Sequence, residues 1–267
     1  MQKLTARKIA LSDDLSKKYW AAGLVYPTHF LNAISLSFPV MEKMAVVSIR
    51  SAMKKIDDEA VKSELATFCE QENNHSAAHN SFNVMVLEGA AEPAALNRLK
   101  EWVKEVSKRS TKERVATVIA FEHFTSSCSR LLMKTLSKAR EEGKIDSEAF
   151  KLWYWHCAEE IEHHSVCWDL VEPFGITKSE LNNAVKEYFT VFYPYLIACT
   201  NELVKADSQQ WKMNTWLGAS VFLSRHFSRM GPYFIHFFSP SFSEHAYDEI
   251  DKELLSDFKK SGIEFTV

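Results

Sequence analysis

Two stretches of the chain combine glutamate and histidine at a spacing that suits metal binding. They are EQENNHSAAHN (70–80) and WHCAEEIEHHSVCWD (155–169), and each contains a Glu-x-x-His step, Glu72 to His75 and Glu160 to His163. Residues three apart lie on the same face of an α-helix, so a carboxylate oxygen and an imidazole nitrogen can reach one metal ion together. About one such step is expected by chance in a chain of this composition, so neither step is specific by itself.

The order of these residues along the chain is more specific than either step. Helical bundles that hold two iron or manganese ions take a Glu-x-x-His step from each of two helices and a single Glu from each of the other two. This chain offers the same set, each from a different predicted helix: Glu42, then Glu72 and His75, then Glu122, then Glu160 and His163. The alternative is that these are core histidines and surface glutamates.

Glu122 and Glu42 differ in how clearly they indicate a ligand. Glu122 shares an apolar, core-directed face with Val115 and Val118, where a bare carboxylate is costly unless a metal or another partner neutralises it. Glu42 follows Pro39 by three residues, which predicts a place in the first turn of a helix that Pro39 opens. The helix dipole favours any glutamate there, so the dipole role and the ligand role predict the same residue.

Three neighbouring residues extend the candidate site. His156 lies four residues before Glu160 on the same helical stripe, and is either a seventh ligand or a core histidine that supports the ligands by hydrogen bonding. His79 continues the stripe of His75, and we expect it to orient a ligand from behind. Glu159 points away from the His156 stripe, so we expect it either in solvent or behind the ligands.

The segments that carry these residues have the period of α-helices. Apolar residues recur at intervals of three and four, and no alternating strand pattern is evident. We predict an all-α, ferritin-like four-helix bundle in a single domain, 1–267, with a helical N-terminal arm (1–36), a metal-binding core (37–172) and additional C-terminal helices packed on it (173–267). The predicted helices lie near 39–56, 58–88, 94–108, 111–142, 146–172, 178–206, 209–230 and 245–260.

The composition limits the functional classes to which the chain can belong. Hydrophobic residues make up 46% and charged residues 25%, as in ordinary globular proteins, and a net charge of −3 gives no basic footprint for nucleic acid. The five cysteines include no Cys-x-x-Cys pair, which is typical of a reducing cytoplasm. The best candidates for a membrane span, 188–201 and 213–224, fall short of about 20 apolar residues. We therefore expect a cytoplasmic protein with no membrane span and no signal peptide.

The motifs also resemble known families. FLNAISLSFPVMEKMAVVSIR, FCEQENNHSAAHN, IAFEHFTS and WHCAEEIEHHSVCWD are similar to the family of predicted metal-dependent hydrolases, which has a ferritin-like fold, roughly from Pro27 to Asp169. The ligand pattern is similar to that of the di-iron arylamine N-oxygenases, which add a histidine four residues before the Glu of the second Glu-x-x-His. That likeness implies a ligand set of seven: Glu42, Glu72, His75, Glu122, His156, Glu160 and His163.

Three functional hypotheses follow. The preferred one is a non-haem di-iron oxygenase or oxidase that uses O2 and an external electron donor on a small apolar or aromatic substrate. Mixed carboxylate and imidazole ligands suit iron or manganese, and zinc is a further option. The second is a metal-dependent hydrolase, in which two metals activate a bound water. The third is a non-enzymatic iron-handling bundle, and a homodimer through the aromatic C-terminal helices is compatible with each of them.

Overall fold

The computed structural model describes residues 4–12 and 15–267, and the regular elements in this part of the chain are helices. They are α1 (Val25–Met53), α2 (Glu59–Leu87), α3 (Ala95–Ser107), α4 (Thr111–Glu141), α5 (Ser147–Trp168), α6 (Lys178–Ala206), α7 (Met213–Phe238), a short 3-10 helix (Glu244–Tyr247) and α8 (Asp248–Lys260). Two isolated bridges, Lys8 with Thr266 and Ala21 with Ile145, are the β pairings of the described ranges. The predicted all-α class is confirmed.

Four helices carry the candidate ligands. α1 packs along α2 and α4 along α5, and these two hairpins contact each other through α2 with α5 and α1 with α4. α3 lies in the connection between the hairpins, while α6 covers α1 and α4 and α8 packs on α5. The buried apolar side chains form one cluster that extends from Leu4 to Phe258. α6, α7 and α8 thus contact the helices that carry the candidate ligands.

Local sequence fixes where several helices begin. Asp58 and Asp146 accept hydrogen bonds from the first free backbone N–H groups of α2 and α5. Ser110 and Glu113 form a reciprocal capping box at the start of α4, and Thr177 with Glu180 does the same for α6. Such caps satisfy backbone donors that have no partner within the helix. They account for predicted starts that lie within two residues of the observed ones.

The predicted start of the first core helix near Pro39 is wrong. α1 begins at Val25, Pro39 lies inside it, and residues 4–12 and 15–24 form no helical arm. Proline in a helix leaves the carbonyl four residues earlier without its donor, here that of Ser35. Asn83 Nδ2 donates to this carbonyl at 3.1 Å, so the helix continues through the proline. Glu42 consequently lies deep within α1, and the helix dipole does not explain its presence.

The predicted end of the seventh helix near residue 230 is also too early. α7 runs from Met213 to Phe238 with Pro232 inside it. The carbonyl that Pro232 leaves without a helical donor belongs to Ser228, which is exposed, so water can supply the missing hydrogen bond. Pro194 lies inside α6 in the same way. In this chain, proline marks helix ends less reliably than the sequence analysis assumed.

The aromatic residues of the C-terminal third pack on one another and on α4. The Phe189 and Phe234 rings meet edge to face at 4.4 Å between centroids, and Phe124 stacks on Tyr188 at 5.7 Å. Edge-to-face and offset stacked pairs are the favoured geometries for aromatic side chains. These rings join α4, α6 and α7.

One helix of the described ranges, α1, has the length and apolar composition that a membrane span requires. Its most apolar window is 72% buried inside the bundle, where its side chains already contact α2, α4 and α6. Core helices of globular proteins meet the same criteria. The two segments that looked most apolar in the sequence, 188–201 and 213–224, do not meet them.

Candidate metal centre

The helices bring the predicted ligands together in the interior of the bundle. Every one of these side chains is at most 1% exposed. Each potential ligand comes from one of four helices: Glu42 from α1, Glu72 and His75 from α2, Glu122 from α4, and His156, Glu160 and His163 from α5. The helical spacing of the sequence motifs thus becomes one buried cluster of acidic and imidazole groups.

The cluster divides into two groups whose size suits two ions. The nitrogen and oxygen atoms within each group lie within 4.8 Å of one another, close enough to surround one cation. The first group holds Glu42, His75 and His156, and the second holds Glu72, Glu122, Glu160 and His163. Among the described residues, these are the sets of three or more His, Cys, Asp and Glu side chains with that geometry.

Two glutamates lie between the groups. Glu160 Oε1 is 3.2 Å from His156 Nε2 and 3.8 Å from His163 Nδ1, which belong to different groups. Glu72 Oε1 is 3.0 Å from His163 Nδ1 and 3.9 Å from His75 Nδ1. A carboxylate has two oxygens and can contact a cation on either side. Glu72 and Glu160 are therefore in position to bridge two ions.

Most polar atoms at the centre have no hydrogen-bond partner. Buried polar groups normally have one, so each exception requires an explanation. His163 Nδ1 lies 3.0 Å from Glu72 Oε1, yet the angles of this contact do not make a hydrogen bond. The unpaired atoms are Glu42 Oε1, both oxygens of Glu72, Glu122 and Glu160, His75 Nδ1, His156 Nε2 and His163 Nδ1. Bound cations would satisfy all of them at once, so these residues fit a metal centre.

The three histidines are held from behind by their other ring nitrogens. His75 Nε2 lies 3.0 Å from Glu159 Oε2, and His163 Nε2 lies 3.2 Å from Gln71 Oε1. His156 Nδ1 lies 3.2 Å from His79 Nε2. Metal-binding histidines typically donate this second N–H to an acceptor, which fixes the ring and its tautomer. The arrangement leaves the lone pairs of His75 Nδ1, His163 Nδ1 and His156 Nε2 directed at the centre.

The N-terminal segment closes one side of this arrangement. Arg7 Nη1 donates to Glu159 Oε1 at 3.0 Å, and Arg7 Nη2 donates to Glu162 Oε1 at 2.8 Å. Gln71 Nε2 donates to Glu162 Oε2 at 3.2 Å while its Oε1 faces His163. Glu159 is fully buried, so the prediction of a solvent-exposed position for it is wrong. Its contact with His75 Nε2 places it behind a potential ligand, which is the other position considered for it.

Removing Arg7 should destabilise the fold strongly. The change Arg7→Ala leaves the buried Glu159 carboxylate without its counter-charge, and breaking a buried pair in this way costs about 3–5 kcal/mol. We expect a corresponding loss in the free energy of unfolding, measured by urea denaturation. Lys8→Ala is the matched control because the Lys8 side chain is exposed. Equal stability of the two variants would contradict the role assigned to Arg7.

Sequence reasoning missed several residues that contact the ligands. Ser76 Oγ donates to Glu42 Oε2 at 2.7 Å, across the α1–α2 interface. Arg7 lies in the N-terminal segment, outside both motif stretches. Gln71 lies within the first stretch, but it is not part of the Glu-x-x-His step. The one sequence signal for Gln71 was its position directly before the predicted ligand Glu72. The contact of Arg7 with α5 depends on long-range packing, which residue spacing does not reveal.

Burial and mutual repulsion shift the protonation of the cluster. Burial, followed by the charge of a neighbouring glutamate, raises the pKa of Glu42 and of Glu122 well above the usual carboxyl value. Burial opposes the charge on Glu160 too, but contacts with His156 and the other histidines lower its pKa to about 2. Burial also opposes the charge on His163, yet Glu122 and Glu72 raise its pKa well above the ordinary range. Without a cation, the folded centre retains protons.

This protonation predicts how pH acts on the metal-free protein. At pH 6.5 unfolded Glu122 is already ionised, and unfolded His163 loses its proton as pH rises to 8, whereas the folded state keeps both protons because their pKa values are raised. At these two groups the folded state binds more protons than the unfolded state, so the stability that they contribute falls as pH rises. We therefore expect the Tm of chelated Glu122→Gln to change less unfavourably between pH 6.5 and pH 8 than the Tm of the chelated parent, because the variant lacks the Glu122 contribution. An identical change of Tm in the parent and in Glu122→Gln would contradict the assignment.

Comparison with known proteins adds one finding to this geometry. A family model described as predicted metal-dependent hydrolase matches residues 5–246, which includes all four ligand-bearing helices. No curated protein and no solved structure matches the chain. The chain belongs to the family of predicted metal-dependent hydrolases.

Proposed function

We propose that the chain is a two-metal oxidoreductase that uses O2 to oxidise a small apolar or aromatic substrate, with iron as its metal. The proposed ligands are Glu42, Glu72, His75, Glu122, His156, Glu160 and His163, with His79 and Glu159 orienting histidine ligands from behind. The proposal treats the chain as a single domain with a ferritin-like core.

The observation that carries the two-ion proposal is charge balance. The centre contains the four carboxylates of Glu42, Glu72, Glu122 and Glu160, with a combined charge of −4 when ionised, and three histidines. Two divalent cations supply +4, so neutral imidazoles and two such ions give a centre with no net charge. A buried net charge is strongly unfavourable, and one ion would leave −2 in the interior. Glu159 is outside this balance because its counter-charge is Arg7, which it shares with Glu162.

The donor types favour a redox metal, iron or manganese, over zinc. Carboxylate and imidazole groups without thiolate suit iron and manganese, and none of the five cysteines belongs to either ligand group. Four carboxylates also neutralise most of the metal charge, which weakens the ability of the ions to acidify a bound water. The same electron-rich ligands stabilise higher oxidation states, which redox chemistry requires.

The protein's own residues would supply position and exclusion of water. When bound, two ferrous ions provide the electrons for O2 reduction, and that chemistry belongs to the metal. Glu159, Gln71 and His79 hold the histidine rings, and Ser76 holds Glu42 through its hydrogen bond. Aromatic rings line the cluster, with Phe38 4.3 Å from the His156 ring and Phe68 4.6 Å from the His163 ring between centroids. These contacts support a dry site suited to an apolar substrate.

The proposal implies partners and a location. Oxidation of a small molecule by O2 requires an external electron donor if only one oxygen atom enters the product. All five cysteines are free, which supports a reducing compartment such as the cytoplasm. Leu217 and Val221, more than half exposed on α7, supply an apolar surface on which a homodimer could form.

Anaerobic reconstitution tests the redox proposal. Apoprotein loaded with two equivalents of ferrous iron should consume O2 when air is admitted, and the consumption should depend on both ions. Glu122→Ala should abolish the uptake. Iron-loaded protein that consumes no O2 above the rate of free ferrous iron would overturn the oxidase proposal.

Hydrolysis is the second candidate, because it is the activity that the family description names. The ligands could also hold zinc or manganese around a bound water. In that case the zinc- or manganese-loaded protein should hydrolyse ester or phosphoester substrates under anaerobic conditions. Activity that survives removal of O2 and replacement of iron by zinc would favour the hydrolase.

A further inference from the structure

A continuous chain of hydrogen-bond contacts leads from the candidate ligand His156 to the backbone of α1. His156 Nδ1 lies 3.2 Å from His79 Nε2, and His79 Nδ1 lies 2.8 Å from Ser35 Oγ. Ser35 Oγ donates to Asn83 Oδ1 at 2.6 Å, and Asn83 Nδ2 donates to the Ser35 carbonyl at 3.1 Å. All four side chains are buried, so water does not compete for these contacts.

The Ser35 carbonyl, at which this series of hydrogen bonds ends, determines the direction of each of them. A carbonyl can only accept, and Pro39 cannot donate to this one, so the Asn83 amide must present its NH2 group to Ser35. Asn83 Oδ1 then faces the Ser35 hydroxyl, which must donate to it. With its hydrogen committed, Ser35 Oγ accepts from His79 Nδ1–H.

The same logic fixes the protons of both histidines. His79 is fully buried and its ring nitrogens face Ser35 and His156 rather than a carboxylate, so the ring is neutral and carries one N–H. Because that hydrogen is on Nδ1, His79 Nε2 is an acceptor, and His156 must place its own hydrogen on Nδ1. His156 Nε2 is left with a lone pair, 3.2 Å from Glu160 Oε1 and directed at the metal centre.

We infer that Ser35, His79 and Asn83 are positioning residues that lock His156 in the tautomer whose Nε2 can bind metal. This inference rests on the proposed two-metal centre, and it applies to the group of Glu42, His75 and His156. The second group needs no such device, because His163 is held by Gln71 instead. Pro39 thus affects the metal centre indirectly. Because it supplies no N–H to the Ser35 carbonyl, Asn83 donates there instead and orients the Ser35 hydroxyl.

Stepwise titration with Co2+ tests the inference without an activity assay. The parent protein should bind two equivalents, followed by the visible absorption of cobalt. Ser35→Ala and His79→Phe should weaken binding of one equivalent by about 10- to 100-fold, as loss of groups behind a ligand typically does, and leave the other unchanged. His79→Gln should restore much of the loss, because a glutamine oxygen can accept from His156 Nδ1–H.

Ser37→Ala is the matched control, since Ser37 is buried on the same helix and donates only to the Ile34 carbonyl. Equal weakening of both cobalt equivalents, or unchanged cobalt affinity in Ser35→Ala and His79→Phe, would contradict the positioning role of these residues. A parent protein that binds no cobalt would instead defeat the proposed metal centre itself.

A groove between α1, α2 and α3 supports a second, independent inference. Its volume is about 580 Å³, within the range of small-molecule sites, and none of the candidate metal ligands lines it. Buried Leu36, Met44 and Leu96 contribute to its floor. Its charged lining residues are four cations and one acid: Lys43, Lys100, Lys104, Arg114 and Glu92.

The groove is elongated and has a polar end. Its lining residues on α1 run from Leu36 to Ser48, a distance of about 18 Å at the rise of an α-helix. Arg114 lies near the Ser48 end, where one of its Nη atoms donates to Ser51 at 2.9 Å. Among the described residues Arg114 pairs with no carboxylate, so the charge of its half-buried guanidinium remains for an anionic ligand. Lys104 and Ser107, in the last turn of α3, also line the groove.

We propose that the groove binds a single-chain amphiphile with an anionic head, such as a long-chain carboxylate. The chain lies over the apolar floor, and the carboxylate accepts from Arg114 with Lys104 beside it. The fluorescent fatty acid cis-parinaric acid is a direct probe. It should bind saturably at micromolar concentration, and Arg114→Gln and Lys104→Gln should each weaken binding by about tenfold, because a charge-assisted hydrogen bond or ion pair is lost.

Lys112→Gln is the control, since Lys112 pairs with Glu180 and does not line the groove. Lys104 pairs only with exposed Glu101, so its replacement should not disturb folding. Hexadecyltrimethylammonium, with the opposite head charge, should fail to displace the probe. Non-saturable binding, unchanged affinity in both groove variants, or displacement by the cation would overturn the proposal.

Discussion

Glu72→Ala should purify without bound metal, whereas Glu70→Ala should retain about two ions per chain. Glu72 lies between the two ligand groups, and neither of its oxygens has a hydrogen-bond partner among the described residues. Its loss removes a bridging ligand and changes the charge balance of the centre. Elemental analysis of both variants after identical purification measures the difference.

Glu70 is the matched control because it lies two residues earlier on α2 and is exposed. Both variants lose one carboxylate from the same helix, so a general effect on charge would appear in both. Metal content that stays at the parental level in Glu72→Ala would contradict the ligand assignment.

Removal of metal should lower the Tm by an amount on the order of 10 °C. A ligand at 1,000 times its Kd stabilises the folded state by about 4 kcal/mol per site, and a chain of this size shifts by a few degrees per kcal/mol. Chelation also leaves several buried carboxylates without their cations, so the metal-free state must retain protons. Calorimetry with and without a chelator measures the shift.

Two comparisons separate metal loss from nonspecific effects of the chelator. Adding Fe2+ or Mn2+ back in excess under anaerobic conditions should restore the original Tm. The Glu72→Ala variant should show the same Tm with and without chelator, because it has no ion to lose. A parental Tm that is insensitive to chelation and to added metal would contradict a structural contribution from bound ions.

The sequence was sufficient to predict the helical class and the convergence of seven side chains. Helix periodicity is local, and the Glu-x-x-His steps place Glu72 with His75 and Glu160 with His163 on one face wherever the helices lie. The order of the motifs across four helices then matched a known bundle arrangement. Because these signals depend only on spacing within helices, they survived an error of fourteen residues in the start of α1.

What the sequence could not supply were contacts made across helices. Pro39 seemed to begin a helix, since nothing local reveals that Asn83, 44 positions later, donates to the carbonyl that proline leaves free. The same limit hid the contact of Arg7 with Glu159, which joins segments 152 residues apart. Such interactions depend on the final packing, and proline rules describe only the chain around the proline.

Anomalous diffraction from crystals of the freshly purified protein tests the central claim most directly. Data collected at the absorption edge of the metal found in the sample should show two peaks per chain, about 3.5–4 Å apart, as in two-metal sites. One peak should lie among Glu42, His75 and His156, and the other among Glu72, Glu122, Glu160 and His163. Peaks elsewhere, or no peak at this cluster in protein supplied with metal, would contradict the account.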